Sequence, residues 1–266
     1  MIMEQLINGV TQRFTLDGPD GAPVITFAHA LSLDMRSWDP QVAAFKDRYR
    51  VLRYDLRGHS HIDEGGGPFS IENMADDVVG LLDHLDIART HFVGSSLGGM
   101  VGYALALDHP DRLRSVTFLA TQGTLPTERA EIQKKNIAAM NASERGLELQ
   151  VDAMLERLNR DGYRTDNPED YAKQREMAIC GTVNGYARCC AAIAAMNYDD
   201  KLDRIATPAL VVAGSVDKST SPERMAMYGE QIAGARMEII ENAAHFPNVD
   251  EPDAFNAVLD KFLSGN

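Results

Sequence analysis

Cysteine is scarce in this sequence: Cys180, Cys189 and Cys190 are the only three, an odd set confined to one short stretch. Such a set cannot staple a secreted scaffold and favours a reducing compartment, so a cytoplasmic location is expected. No CxxC or HExxH spacing occurs, which leaves a zinc site without ligands, and no metal is expected. Long apolar runs are also missing. Cys189 to Met196 gives eight residues, far short of the ~20 that a spanning helix needs, so no membrane partner is expected. The opening MIMEQLINGV carries Glu4 and no basic n-region, so it reads as folded chain rather than as a secretory leader.

Positive charge is in deficit as well. Lys and Arg number 26 against 39 Asp and Glu, a net of −13, and residues 1–122, 123–202 and 203–266 carry −6, −2 and −5. No segment offers a basic face for a phosphate backbone, which excludes nucleic-acid binding. There is no GxxxxGK[ST], and no GxGxxG opens a helix after the first long strand, so no cofactor is implied. What is present, 44% hydrophobic and 24% charged residues, is ordinary for a globular protein and compatible with a homo-oligomer.

The chain opens on a hairpin pattern, Glu4–Ile7 and Thr11–Leu16 around Asn8-Gly9, a pair that tolerates φ > 0 at both turn positions. Six nearly continuous apolar runs follow, at 24–30, 50–55, 90–94, 114–120, 208–214 and 237–240, as expected of strands buried on both faces. Helical spacing fills 39–47, 71–85, 97–108 and 223–232, so the strands and helices alternate and predict a mostly parallel α/β sheet. The alternation breaks once. From 123 to 202 only helices are predicted, at 128–140, 144–159, 170–180 and 186–196. Residues 1–122 and 203–266 therefore read as a core, and 123–202 as a helical cap over the sheet edge where α/β proteins bind ligands.

Gly94-Ser95-Ser96-Leu97-Gly98-Gly99 lies between a predicted strand and a predicted helix. G-x-S-x-G in that context is a nucleophile elbow: a turn too tight for Cβ atoms two residues either side of the serine, with Ser96 pushed out above a helix N-terminus. A serine there can also simply cap the helix. A serine nucleophile needs a base held by an acid. Of seven histidines, His84, His91 and His109 read as surface positions, and His29, His59 and His61 precede the serine. His245 follows the last strand, in the Ser…Asp…His order that this elbow takes. Asp217 falls between them, just beyond the 208–214 strand, where it is the candidate acid or else a turn residue. Two backbone N–H groups should hold the oxyanion: Leu97, and Leu31 or Ala30 in the loop after the first long strand.

Together these residues resemble the α/β-hydrolase superfamily over essentially the whole chain, with closest similarity to the 3-oxoadipate enol-lactonases. The passages concerned are 29–41 (HALSLDMRSWDPQ), 50–59 (RVLRYDLRGH), 94–99 (GSSLGG), 185–193 (GYARCCAAI) and 244–251 (AHFPNVDE). The resemblance implies an eight-stranded, mostly parallel sheet flanked by helices with an inserted cap. It implies a Ser96–His245–Asp217 triad with Leu31 and Leu97 as oxyanion donors, and a small lactone or ester as substrate, by resemblance the enol-lactone of aromatic catabolism. A general carboxylesterase and a cofactor-free perhydrolase share that triad and are the alternatives. An anionic substrate needs a cation, for which Arg188, beside the Cys-Cys pair, and then Arg36 are candidates, unless both are solvated surface arginines. Trp38, the one tryptophan, is a third substrate-binding candidate, although the family tends to carry tryptophan in the cap. Methionines 140, 154, 177 and 196 can line an adaptable pocket or fill the cap's own core.

Overall fold

The computed structural model describes residues 1–60, 67 and 69–266. His61, one of the histidines weighed above, lies outside them. The chain starts with β1 (Met3–Ile7) and β2 (Val10–Asp17), an antiparallel hairpin whose Asn8 and Gly9 take φ of +50° and +79°, as an Asn-Gly turn permits. Then come β3 (Val24–Ala28), α1 (Asp39–Phe45), β4 (Arg50–Tyr54), α2 (Ile71–His84), β5 (Thr90–Ser95), α3 (Leu97–Asp108) and β6 (Leu113–Leu119). Five helices follow with no strand among them: α4 (Thr127–Asn141), α5 (Val151–Leu158), α6 (Tyr163–Asp166), α7 (Pro168–Ile179) and α8 (Val183–Ala195). The alternation resumes with β7 (Ala209–Gly214), α9 (Pro222–Gln231), β8 (Arg236–Ile240), α10 (Pro247–Asp250) and α11 (Pro252–Leu263).

The eight strands form one sheet in the order β1-β2-β4-β3-β5-β6-β7-β8, antiparallel at the hairpin and parallel from β4 onward. Each central strand is apolar on both faces because each face has its own layer of helices. Leu52, Phe92 and Val211 pack with α2, α3 and α9, while their neighbours Val51, Val93 and Val212 pack with α1 and α11. Each side chain so buried contributes roughly 1.5–3 kcal/mol. A third cluster joins Val151, Leu155 and Tyr171 of the inserted helices to Ala30, Leu33 and Phe246 of the body.

The insertion departs from the expected helices in detail. The stretch 144–159 is broken into a 3₁₀ turn (Gly146–Leu149) and α5, with Gly146 at φ +53°, a conformation no α-helix continues through. The helix expected at 186–196 begins at Val183, where the Thr182 side chain accepts the Gly185 N–H. Entry and exit of the insertion are strapped together: Thr124 pairs with Asn197, and the Tyr198 N–H donates to the Gly123 carbonyl at 3.0 Å. No helix among the described residues is long and apolar enough to cross a membrane.

Candidate active site

The turn between β5 and α3 is as tight as its glycines imply. A Cβ on Gly94 would stand 2.1 Å from the Gly98 carbonyl oxygen, and one on Gly98 2.2 Å from that of Ala28. Ser96 takes φ +49° and ψ −107°, an unfavourable conformation for a residue with a side chain. It is pinned there by its N–H donating to Leu119 O (2.8 Å) and by its own carbonyl accepting from the Thr121 hydroxyl (2.7 Å). Its side chain makes no helix-capping bond. Instead Ser96 Oγ lies 3.0 Å from His245 Nε2. Ser95, the neighbouring hydroxyl, is buried without a partner among the described residues.

His245 sits in the loop after β8, and its Nδ1 donates to Asp217 Oδ2 at 2.9 Å, which fixes the tautomer that leaves Nε2 free to accept. Its own backbone N–H donates to Leu158 O at the end of α5, tying this loop to the insertion. Asp217, in the loop after β7, is held by three further donors: Ser219 N–H (2.6 Å) and Thr220 N–H (3.2 Å) on Oδ1, and the Thr220 hydroxyl (2.6 Å) on Oδ2. Burial alone would raise this carboxyl's pKa. The charge of a protonated His245, its hydrogen bond and those from Thr220 and Ser219 outweigh burial and leave it below the usual carboxylate range. The carboxylate is therefore ionised across the neutral pH range and oriented on the imidazole.

Leu31 and Ala30 line the same cavity as Ser96, and neither the Leu31 nor the Leu97 N–H donates a hydrogen bond among the described residues. The loop carrying Leu31 is clipped to the loop after β4 by two histidines. His29 Nε2 accepts the Leu56 N–H (2.9 Å), His59 Nε2 accepts the Ser32 N–H (3.1 Å), and the rings meet edge to face at 4.8 Å. Burial lowers both pKa values, to about 4 and about 3, so each imidazole stays neutral and keeps its acceptor nitrogen. His91, expected at the surface, is buried too, with Nδ1 2.8 Å from Ser115 Oγ.

Three expected substrate contacts are not met. Trp38 is fully buried between β3 and α11, stacked on Phe27 at 4.7 Å and near Phe255, because an apolar layer is the best place for the largest ring. Arg36 spends its guanidinium on Asp34 and Glu176, and Arg188 donates to the Gly67 carbonyl while lying 4.4 Å over the Phe69 ring. None of the three lines the cavity of about 330 Å³ above Ser96. Arg129 and Arg157 do, together with Gln122, Gln133 and Asn136. Of the four methionines, Met154 reaches this cavity; Met140 lines a neighbouring one, and Met177 and Met196 are packed in the core clusters. Cys189 packs on the Arg57-Gly58 turn, and Cys190, hydrogen-bonded to Tyr186, is pushed up to about 12 by burial and is no nucleophile. Among the described residues, no group of three or more His, Cys, Asp or Glu could hold a metal ion.

A family profile described as alpha/beta hydrolase fold matches residues 23–252. The chain is 33% identical to 3-oxoadipate enol-lactonase 2 of Acinetobacter baylyi over 96% of its own length and 93% of that protein's. Among solved structures it is similar to an enol-lactonase from Burkholderia xenovorans LB400, with a TM-score of 0.93, 34% identity and coverage of 98% of this chain and 100% of that one. It is also similar to a thermophilic esterase from Thermogutta terrifontis, with a TM-score of 0.90, 26% identity and coverage of 100% and 98%.

Proposed function

The chain belongs to the α/β-hydrolase family, and from that premise we propose that it is a serine hydrolase that opens a lactone or cleaves a small carboxylic ester. The observation that carries the reading is the unbroken relay from Ser96 Oγ through both nitrogens of His245 to Asp217, at 3.0 and 2.9 Å. Ser96 attacks the carbonyl carbon as His245 Nε2 takes its proton, and Asp217 stabilises the imidazolium. The oxyanion that forms is met by the Leu97 and Leu31 amides, each contributing about 3 kcal/mol to the transition state. His245 then protonates the leaving oxygen, an acyl-enzyme remains on Ser96, and a water activated by the same imidazole releases the acid. We propose 123–202 as the cap that shapes the pocket; that the cavity is lined from both the body and these helices supports it. Similarity to two enol-lactonases favours 3-oxoadipate enol-lactone as the substrate, and a cytoplasmic location accords with that role.

The test is a panel of the enol-lactone, saturated lactones and short aryl esters compared by kcat/KM, alongside labelling with a fluorophosphonate. Wild type should be labelled at Ser96 and favour the enol-lactone, and Ser96→Ala should lose turnover by about 10⁴ or more. A Ser96→Ala protein keeping a tenth of the rate overturns the nucleophile. Simple esters ahead of the enol-lactone by more than ~10-fold make it a general carboxylesterase, and peroxide-dependent halogenation of a phenol makes it a perhydrolase.

A further inference from the structure

Gln122 follows the end of β6 by three residues, and the chain is pinned on both sides of it. Before it, the Thr121 hydroxyl donates to the Ser96 carbonyl at 2.7 Å; after it, the Gly123 carbonyl accepts the Tyr198 N–H at 3.0 Å. The side chain is 4% exposed and lines the cavity together with Ser96 and His245. Among the described residues neither end of its carboxamide has a hydrogen-bond partner. Oε1 is sealed from water, so Nε2 is the end that meets the cavity. A buried amide without partners is a cost to the folded state that an apolar side chain of the same length would avoid. Gln133 also lines the cavity with an unpaired Oε1, but it is half-buried on the largely exposed α4, whereas Gln122 is fixed to the sheet edge beside the elbow.

Sheet order tells which part of a substrate this donor meets. Along the edge where β3, β5, β6 and β7 end, Leu31, Ser96, Gln122 and Asp217 follow one another. The oxyanion loop therefore lies on one side of Ser96, and Gln122 with the acid loop on the other. A tetrahedral carbon on Ser96 Oγ that turns its O⁻ towards Leu31 turns its leaving oxygen the opposite way, to His245 Nε2, 3.0 Å from Oγ. The geometry points to Gln122 as a second donor to that leaving oxygen, beside the protonated His245. This rests on the hydrolase reading. As the C–O bond breaks, its electron pair passes to the leaving oxygen and the Nε2 proton of His245 moves onto it. The Gln122 N–H gives up no proton; its bond strengthens with the charge that the arriving proton has not yet neutralised. Esters and lactones of poorly leaving alcohols gain most, because their departing oxygen has the most charge to stabilise, and activated aryl esters gain least.

The test is a set of butyrate esters that share the acyl group and differ in the alcohol: 4-nitrophenyl, phenyl, 2,2,2-trifluoroethyl and ethyl. Each is read as kcat/KM for wild type, Gln122→Met and Gln122→Leu, of which Met keeps the length of Gln without its donor. The ratio of the 4-nitrophenyl to the ethyl ester should widen by about ten- to a hundredfold in both variants, as a steeper dependence of log kcat/KM on the pKa of the alcohol. Because the exchange removes an unpaired buried amide, Tm should hold or rise. A ratio that does not change, or a loss equal for all four esters, overturns the role. A variant that fails to fold, or a Tm lower by about 5 °C or more, makes Gln122 part of the fold and overturns it as well. A wild-type protein that turns over none of the esters and whose Ser96 resists fluorophosphonate removes the hydrolase reading and this inference with it. An unchanged ratio in a protein that is labelled and active removes Gln122 alone.

Discussion

Ser96 holds a backbone conformation that an isolated serine avoids, and the cost is met by its neighbours' lack of side chains. The strain is useful: it aims Oγ away from the helix amides and at His245. Gly98 is the sharpest test, because its Cβ would fall 2.2 Å from a strand carbonyl that has no room to yield. Gly98→Ala should destabilise the protein by about 3 kcal/mol or fail to fold, read as a drop in Tm or in soluble yield. A stable, active Gly98→Ala protein would mean the turn is looser than its contacts. The residues around Asp217 were legible in part: an aspartate followed by serine and threonine two and three positions on is the pattern of a self-bonding turn, which is the role Ser219 and Thr220 take.

At the scale of elements, the loop after β8 and α10 is one device. Asp250 at the end of α10 accepts the Ala244 N–H at 2.7 Å, one residue before His245. Burial pushes this carboxyl up to about 7, opposed by that N–H and by Arg160 and aided by Glu251 and Asp217. A carboxyl that binds its proton more tightly when folded lends stability below pH ~4 that is lost as pH rises towards 7. Asp250→Asn, neutral throughout, should therefore gain on wild type by roughly 2 kcal/mol between about pH 5 and pH 8. A Tm difference that stays flat over that range contradicts the assignment. The elbow was readable from sequence because strand, turn and helix are contiguous there. The cavity arginines were not. Along α4 and α5, Arg129 and Arg157 stand among other charges with nothing local to separate a cavity position from a solvated one, and only the fold brings the half-buried Arg129 and the exposed Arg157 to one cavity. Arg188 misled for the same reason, its neighbour Cys189 facing the Arg57-Gly58 turn rather than the cavity.

For the molecule as a whole, alternation of apolar runs with amphipathic stretches was enough to give a parallel sheet layered on both sides, because two-sided burial leaves a continuous hydrophobic record in each strand. Trp38 belongs to that record. Fully buried in the layer of α1 and α11, it should emit at short wavelength, resist acrylamide quenching, red-shift with global unfolding, and ignore fluorophosphonate labelling of Ser96. Quenching by a ligand in the cavity would put it back among the substrate contacts. The strap between Gly123-Thr124 and Asn197-Tyr198 bears on the history of such a molecule rather than on its chemistry. Because the inserted helices leave and rejoin the body at one point, they form a closed loop whose length costs little, each doubling adding only about 0.6 kcal/mol. Such a cassette can be lengthened, exchanged or grafted without moving a strand, so the cavity walls it supplies can change while Ser96, His245 and Asp217 stay where they are.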